Sequence, residues 1–193
     1  MRIVGGIHKG RALASPEGQL VRPTSDRVRE ALFNILAHHD FGEFDLDGCR
    51  VLDLFAGTGA LGIEAISRGA SFALFVDELA EARAAIRENM ETLGLTGNAK
   101  LYKRDATALG PRPGSVGPAF SLLFADPPYG KGLAERALVS ARDGGWLEPH
   151  ALCVVEESAE TKFVAPEGFE EVDRRKYGIA EITFLKLAGE DKA

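Results

Sequence analysis

The chain has 193 residues, 45% apolar and 27% charged, with a formal net charge of −6. Those proportions suit one globular domain with a full core and argue against a wholly electrostatic nucleic-acid binder. No apolar run reaches membrane-spanning length and the amino terminus lacks a signal-peptide pattern, so the expectation is a cytoplasmic protein with no membrane partner.

The opening Arg2-Ile3-Val4-Gly5-Gly6-Ile7-His8-Lys9-Gly10-Arg11-Ala12-Leu13 reads as a short hairpin with glycines at its turn. Ser15 to Arg22 is a loop, and Thr24 or Ser25 can cap a helix. Val28, Ala31, Leu32, Ile35, Leu36 and His39 then fall on one helical face, with Arg27, Glu30 and Asn34 opposite. Residues 1–30 carry six bases and three acids, a net of +3, which leaves −9 on the remainder. A basic leading segment on an acidic body suggests one face that meets phosphate, with Lys9, Arg11, Arg22, Thr24, Arg27 and Arg29 as its candidates.

From residue 50 strand and helix alternate. Arg50–Phe55, Phe72–Val76, Ala99–Arg104, Phe120–Ala125 and Ala151–Glu156 read as strands, and Gly59–Arg68, Leu79–Leu93 and Gly132–Arg142 as helices. Such alternation predicts an α/β fold, a mostly parallel sheet with helices on both faces. Phe169–Tyr177 and Ile179–Leu187, split at Gly178, predict an antiparallel hairpin that closes the sheet at seven strands. Residues 1–40 are expected to form a hairpin-and-helix extension, 41–189 the main domain and 190–193 a tail. Cys49 and Cys153 sit in or beside apolar strand patterns and read as core thiols; no metal-ligand spacing is present.

Two segments carry chemistry. Asp53-Leu54-Phe55-Ala56-Gly57-Thr58-Gly59-Ala60-Leu61-Gly62 joins the first strand to a helix and contains G-x-G-x-x-G, with Asp77 twenty residues past Gly57. That spacing lets a cofactor approach the backbone and lets Asp77 accept from ribose hydroxyls. Asp53 disfavours a pyrophosphate and favours a ligand with a cationic amino-acid end, which describes S-adenosylmethionine. Asp105, followed by Ala106, supplies a carboxylate for an adenine amino group. Asp126-Pro127-Pro128-Tyr129 ends the apolar run Phe120–Ala125, and its prolines fix the backbone around the acid. A carboxylate, fixed carbonyls and an aromatic ring make a clamp for a flat substrate bearing an amino group. A DNA or RNA adenine-N6 methyltransferase, a NAD-dependent oxidoreductase and a noncatalytic RNA binder stay open on these features.

Asp53-x-Phe55-x-Gly57-x-Gly59 with Asp126-Pro127-Pro128-Tyr129 resembles the S-adenosylmethionine-dependent methyltransferases of exocyclic amino groups, a Rossmann-like class I fold. Arg22-Pro23-Thr24-Ser25-Asp26-Arg27-Val28-Arg29-Glu30-Ala31-Leu32-Phe33-Asn34, with the Arg2-Ile3-Val4-Gly5-Gly6 opening, resembles the bacterial small-subunit ribosomal RNA guanine-N2 methyltransferases, the RsmD family. The resemblance covers essentially the whole chain. It implies a monomer that acts on 16S ribosomal RNA or a 30S particle, with the acid, prolines and tyrosine of the clamp as catalytic residues. One departure stands out: such sequences often carry a second acid two positions beyond the ribose-binding one, and here that position is Leu79.

Overall fold

The computed structural model describes residues 1–16 and 24–189. Arg22, expected to meet phosphate, lies outside the described residues. Seven strands form one sheet: β1 (Arg50–Leu54), β2 (Phe72–Val76), β3 (Ala99–Tyr102), β4 (Phe120–Ala125), β5 (Leu147–Ser158), β6 (Phe169–Tyr177) and β7 (Ala180–Leu187). Their spatial order is β3-β2-β1-β4-β5-β7-β6; the first five are parallel, and β7 runs antiparallel to both β5 and β6. The seven-stranded, mostly parallel expectation is met.

Strand period two sorts the apolar side chains onto opposite faces. Val51, Phe75, Leu122 and Phe124 pack with helices α1 (Asp26–His38), α2 (Ala60–Ser67) and α3 (Ala80–Leu93). Leu52, Leu54, Leu123 and Val155 pack with α4 (Leu133–Asp143), a 3₁₀ turn at Ala106–Ala108 and the fully buried Trp146. Both faces are therefore covered, three helices on one side and α4 with the 3₁₀ turn on the other.

Ser25 caps α1, its side chain accepting from the Val28 amide. The buried positions of α1 are Arg29, Leu32, Phe33 and Leu36, so its inward face is turned by one residue from the expected one. Val28 and Ile35 are only partly buried and His39 is exposed. The cause is Phe33, whose ring lies 5.8 Å from that of Phe124 and whose burial outweighs keeping Arg29 in water.

The first thirteen residues form a tight hairpin with a single ladder bridge, Arg2 to Ala12. It is bonded down onto α2 and α3. Glu64, 1% exposed, accepts from the Val4 amide at 2.9 Å and from Arg68 Nε at 2.8 Å. Ser67 accepts from the amides of Ile7 and His8 and donates to the Gly5 carbonyl. On α3, Asn89 accepts from the Ala14 amide and donates to the carbonyls of Ala14 and Thr58, tying the hairpin's exit to the glycine turn. These bonds satisfy buried polar groups, so losing one partner costs about 1–3 kcal/mol.

Gly6 is what lets the hairpin lie so close: its φ is +75°, and a Cβ there would come 1.8 Å from the Ser67 carbonyl oxygen. Gly6→Ala is expected to lower stability by at least about 2 kcal/mol in urea denaturation and to speed amide exchange across residues 3–13. Gly10→Ala, at φ +85° with open space around the added carbon, should cost only about 1 kcal/mol.

Candidate active site

The strand order reverses between β1 and β4, and in parallel sheets that switch point opens a crevice at the carboxyl ends. Leu54 is in register with Ala125 and with Val76. The residues that follow, Phe55, Asp126 and Asp77, therefore emerge side by side. They line one cleft of about 680 Å³, joined by Asp53, Gly57, Asp105, Ala106, Pro127, Pro128 and Tyr129. One cleft thus holds every catalytic and cofactor candidate except Gly59, which is buried as the first residue of the α2 cap.

Phe55 has a left-handed backbone, φ +55°, which costs a bulky residue about 1–3 kcal/mol. That conformation turns the chain sharply out of β1 so that Gly57 faces the cleft. Asp53 lies beneath the turn, 2% exposed, and its Oδ2 accepts from the Gly62 amide at 2.9 Å. Burial pushes its carboxyl up to about 8, the Gly62 bond opposes this, and the Asp77 charge adds to it. A buried acid without a cation among the described residues, open to a cleft, suits a ligand that brings an ammonium group.

Asp77 is fixed by two backbone donors, Gly57 at 2.9 Å on Oδ2 and Leu79 at 2.9 Å on Oδ1. Each oxygen keeps a lone pair for a further donor. At the departure noted above, the Leu79 amide orients Asp77 while its side chain, half exposed, lines the cleft. Asp105 uses one oxygen to cap the 3₁₀ turn, accepting from the amide and hydroxyl of Thr107 at 2.8 and 2.7 Å. The hydroxyl bond and then the amide bond hold its carboxyl below the usual range. Among the described residues its second oxygen accepts no hydrogen bond, and Asp105 lines the cleft.

Asp126 keeps an open edge on the cleft but is surrounded by protein and by other acids. Burial, then Glu156, then Asp53 raise its carboxyl well above the ordinary carboxylate range. Pro127 is buried and Pro128 exposed, while the half-buried Tyr129 donates its hydroxyl to Glu156 Oε1 at 2.7 Å. Glu156, 8% exposed, was not among the expected residues. Its signal was present in the sequence: two acids end the apolar run Ala151–Val155, and Val155 is in register with Ala125. Glu157 serves the same corner, accepting from the Gly130 and Ser158 amides.

The expected phosphate-facing set divides. Lys9, Arg11 and Arg27 are exposed, with Arg11 also donating to the Thr92 carbonyl. Arg29 is a correction: it is 1% exposed and cannot reach an external phosphate. Its guanidinium donates to the carbonyls of Arg2 and Thr24 and pairs with Asp26 at 2.8 Å, pinning the start of α1 to the hairpin. Thr24 also turns inward, its hydroxyl 2.9 Å from Glu156 Oε2 and 3.5 Å from Asp126 Oδ2. Cys49 and Cys153 are buried free thiols, the first pushed up to about 12 chiefly by burial. Among the described residues no metal-binding cluster occurs and no helix is long and apolar enough to cross a membrane.

Residues 1–186 match the family model described as Conserved hypothetical protein 95. Ribosomal RNA small subunit methyltransferase D of Escherichia coli is 38% identical over 160 residues, covering 83% of this chain and 76% of that one. Its namesake in Haemophilus influenzae is 32% identical over 180 residues, covering 93% and 90%. A solved Escherichia coli chain named as a methyltransferase, yhhF, superposes with a TM-score of 0.81 at 32% identity, covering 98% of this chain and 99% of that one. The reversed-order sheet, the cleft at its switch point and these matches agree: the chain is an S-adenosylmethionine-dependent methyltransferase of Rossmann-like class I fold, and it belongs to the RsmD family.

Proposed function

We propose that the chain methylates the exocyclic N2 amino group of a guanine in small-subunit ribosomal RNA, on an assembled or partly assembled subunit, and that it works as a monomer. The observation that carries this reading is the placement of Asp126-Pro127-Pro128-Tyr129 beside the acid-led glycine turn in one cleft. The names of the relatives support ribosomal RNA as the substrate class. Residues 1–40 form the RNA-facing extension, with Lys9, Arg11 and Arg27 exposed for phosphate.

S-adenosylmethionine supplies an electrophilic methyl group when bound. Asp53 would take its ammonium end, Gly57 would let it approach the backbone, Asp77 would accept from its ribose, and Asp105 with Ala106 would hold the adenine, while Gly59 packs against Phe75, Ile63 and Ile86 behind the turn. The guanine amine is a weak nucleophile because its lone pair is delocalised into the ring. Asp126 and the Pro127 carbonyl accept its two N–H groups, which favours a pyramidal nitrogen with its lone pair toward the methyl. These acceptors gain strength as positive charge develops, so they stabilise the transition state more than the ground state. Tyr129 stacks on the base, which must first leave its own stack. Holding both reactants in line supplies much of the remaining rate.

Asp126→Ala is expected to remove turnover on undermethylated small subunits while S-adenosylmethionine binding stays within about threefold by calorimetry. Mapping the methylated nucleotide tests the target, and methyl on an adenine N6 would replace this assignment. Cofactor binding should carry a proton signature as well. Asp53, pushed up to about 8, is mostly protonated at pH 7 in the free protein, and an ammonium partner lowers it again. Binding of S-adenosylhomocysteine at pH 7 should therefore release up to one proton, read by calorimetry in buffers of different ionisation enthalpy, and Asp53→Asn should abolish that release. Neutralising Lys9, Arg11 and Arg27 together should weaken RNA binding and flatten its log–log salt dependence by about 2–3.

A further inference from the structure

Glu156 is a buried carboxylate that lies under the cleft, outside its lining, one register step from Asp126. Among the described residues no lysine or arginine pairs with it. A buried charge without a cation needs strong donors, and it has two, the Tyr129 hydroxyl at 2.7 Å and the Thr24 hydroxyl at 2.9 Å. Thr24 Oγ1 is also 3.5 Å from Asp126 Oδ2. A hydroxyl has one proton, and the shorter contact commits it to Glu156. The oxygen of Thr24 then faces Asp126 with a lone pair, so a bond on that side requires the proton to sit on Asp126. Thr24 thus stands between a donor acid and an acceptor carboxylate.

We propose that Glu156 is the proton acceptor behind Asp126, reached through the Thr24 hydroxyl, and that it also holds Tyr129 in place. This rests on the reading of the cleft as an amine methyltransferase site. Methyl transfer leaves the amine nitrogen with one proton too many. That N–H bond breaks and a bond from the proton to an Asp126 oxygen forms. The Asp126 O–H bond breaks as its proton joins Thr24 Oγ1, and the original Thr24 O–H bond breaks as a bond to Glu156 Oε2 forms. One proton has moved from the amine to Glu156, Thr24 is a hydroxyl again, and Asp126 is again a carboxylate. No redox partner is needed.

The groups facing Asp126 set the direction of every pH effect. Glu156 and Glu157 reach it from β5, Asp53 from β1 and Thr24 from the residue before the α1 cap. Arg29, from α1, lines the same cleft, with its guanidinium held on the Thr24 carbonyl. The three acids oppose ionisation of Asp126. As the acceptor, Asp126 must be ionised, so the methyl-transfer rate rises with pH through its titration. Glu156→Gln removes a negative neighbour and should move that limb to lower pH by about one unit, while lowering the plateau at least tenfold. Thr24→Val breaks the relay and should cause a similar plateau loss. Thr24→Ser, which keeps the hydroxyl, should recover the wild-type plateau.

The experiment pairs single-turnover pH–rate profiles with a carbon-13 carboxyl titration of Asp126 in the ligand-free protein. In the titration, Asp126 should ionise at lower pH in Glu156→Gln than in wild type. An unmoved Asp126 titration, or a Glu156→Gln plateau within twofold of wild type, overturns the proposal. A purely structural or electrostatic role for Glu156 would leave the plateau of the folded Glu156→Gln variant within twofold of wild type even where the limb moves, which also overturns it. If Glu156→Gln does not fold, the plateau decides: a Thr24→Val loss that Thr24→Ser recovers supports the relay, and a Thr24→Val plateau within twofold of wild type overturns it. The titration needs no RNA, so a wild-type protein that fails to methylate guanine N2 would sink the substrate assignment without masking this result.

Discussion

The alignment of β1 with β4 is the constraint on which the site depends. Leu54 and Ala125 share a register position, and both strands end there. The chain then leaves each strand by a rigid turn, Phe55 in a left-handed conformation on one side and consecutive prolines on the other. Two loops far apart in sequence are thereby held at a fixed separation by backbone hydrogen bonds. A slip of one residue in either strand would also turn Val51, Leu122 and Phe124 from one apolar layer into the other. The packing of the core and the spacing of the reacting groups are thus enforced by the same register.

Electrostatically the cleft floor is overloaded with acid. Asp53, Asp126, Glu156 and Glu157 converge; burial and then Asp77 push Asp53 toward neutrality, and burial, Glu156 and Asp53 do the same to Asp126. Such a floor is costly in the free protein and relaxes when a cation or several N–H donors arrive. The stabilisation withheld in the empty site becomes available on binding and during charge development, where it serves selectivity and rate.

Much of this was legible in the chain itself. Strands β2 and β4 and the start of β1 fall where alternation and apolar runs place them, because buried parallel strands leave long uninterrupted apolar signals. The glycine turn and the clamp were readable because few residue types satisfy those backbones. What escaped depends on tertiary partners. Arg29 looked like a surface base, yet its guanidinium finds carbonyls only once the hairpin lies against α1. The inward face of α1 turned by one residue because Phe33 meets Phe124, a contact 91 positions away in the chain. β5 begins at Leu147 and runs to Ser158, longer than its apolar centre, because β7 pairs with its last residues. Glu156 was visible as a residue but acquired meaning only from the register of β5 with β4.

The bonds that fasten the amino-terminal hairpin have a mechanical meaning. Glu64, Ser67 and Asn89 grip it at three points along two helices, and Arg29 adds a fourth from α1. An arm hinged on a loose linker would bind RNA at many distances from the reacting centre. Under the proposed function this one would act as a caliper, one jaw the exposed bases near its tip and the other the clamp at the end of β4. A target nucleotide would then be chosen by the span between a gripped backbone and an extruded base, so that the fold of the RNA would be measured even where its sequence is not read.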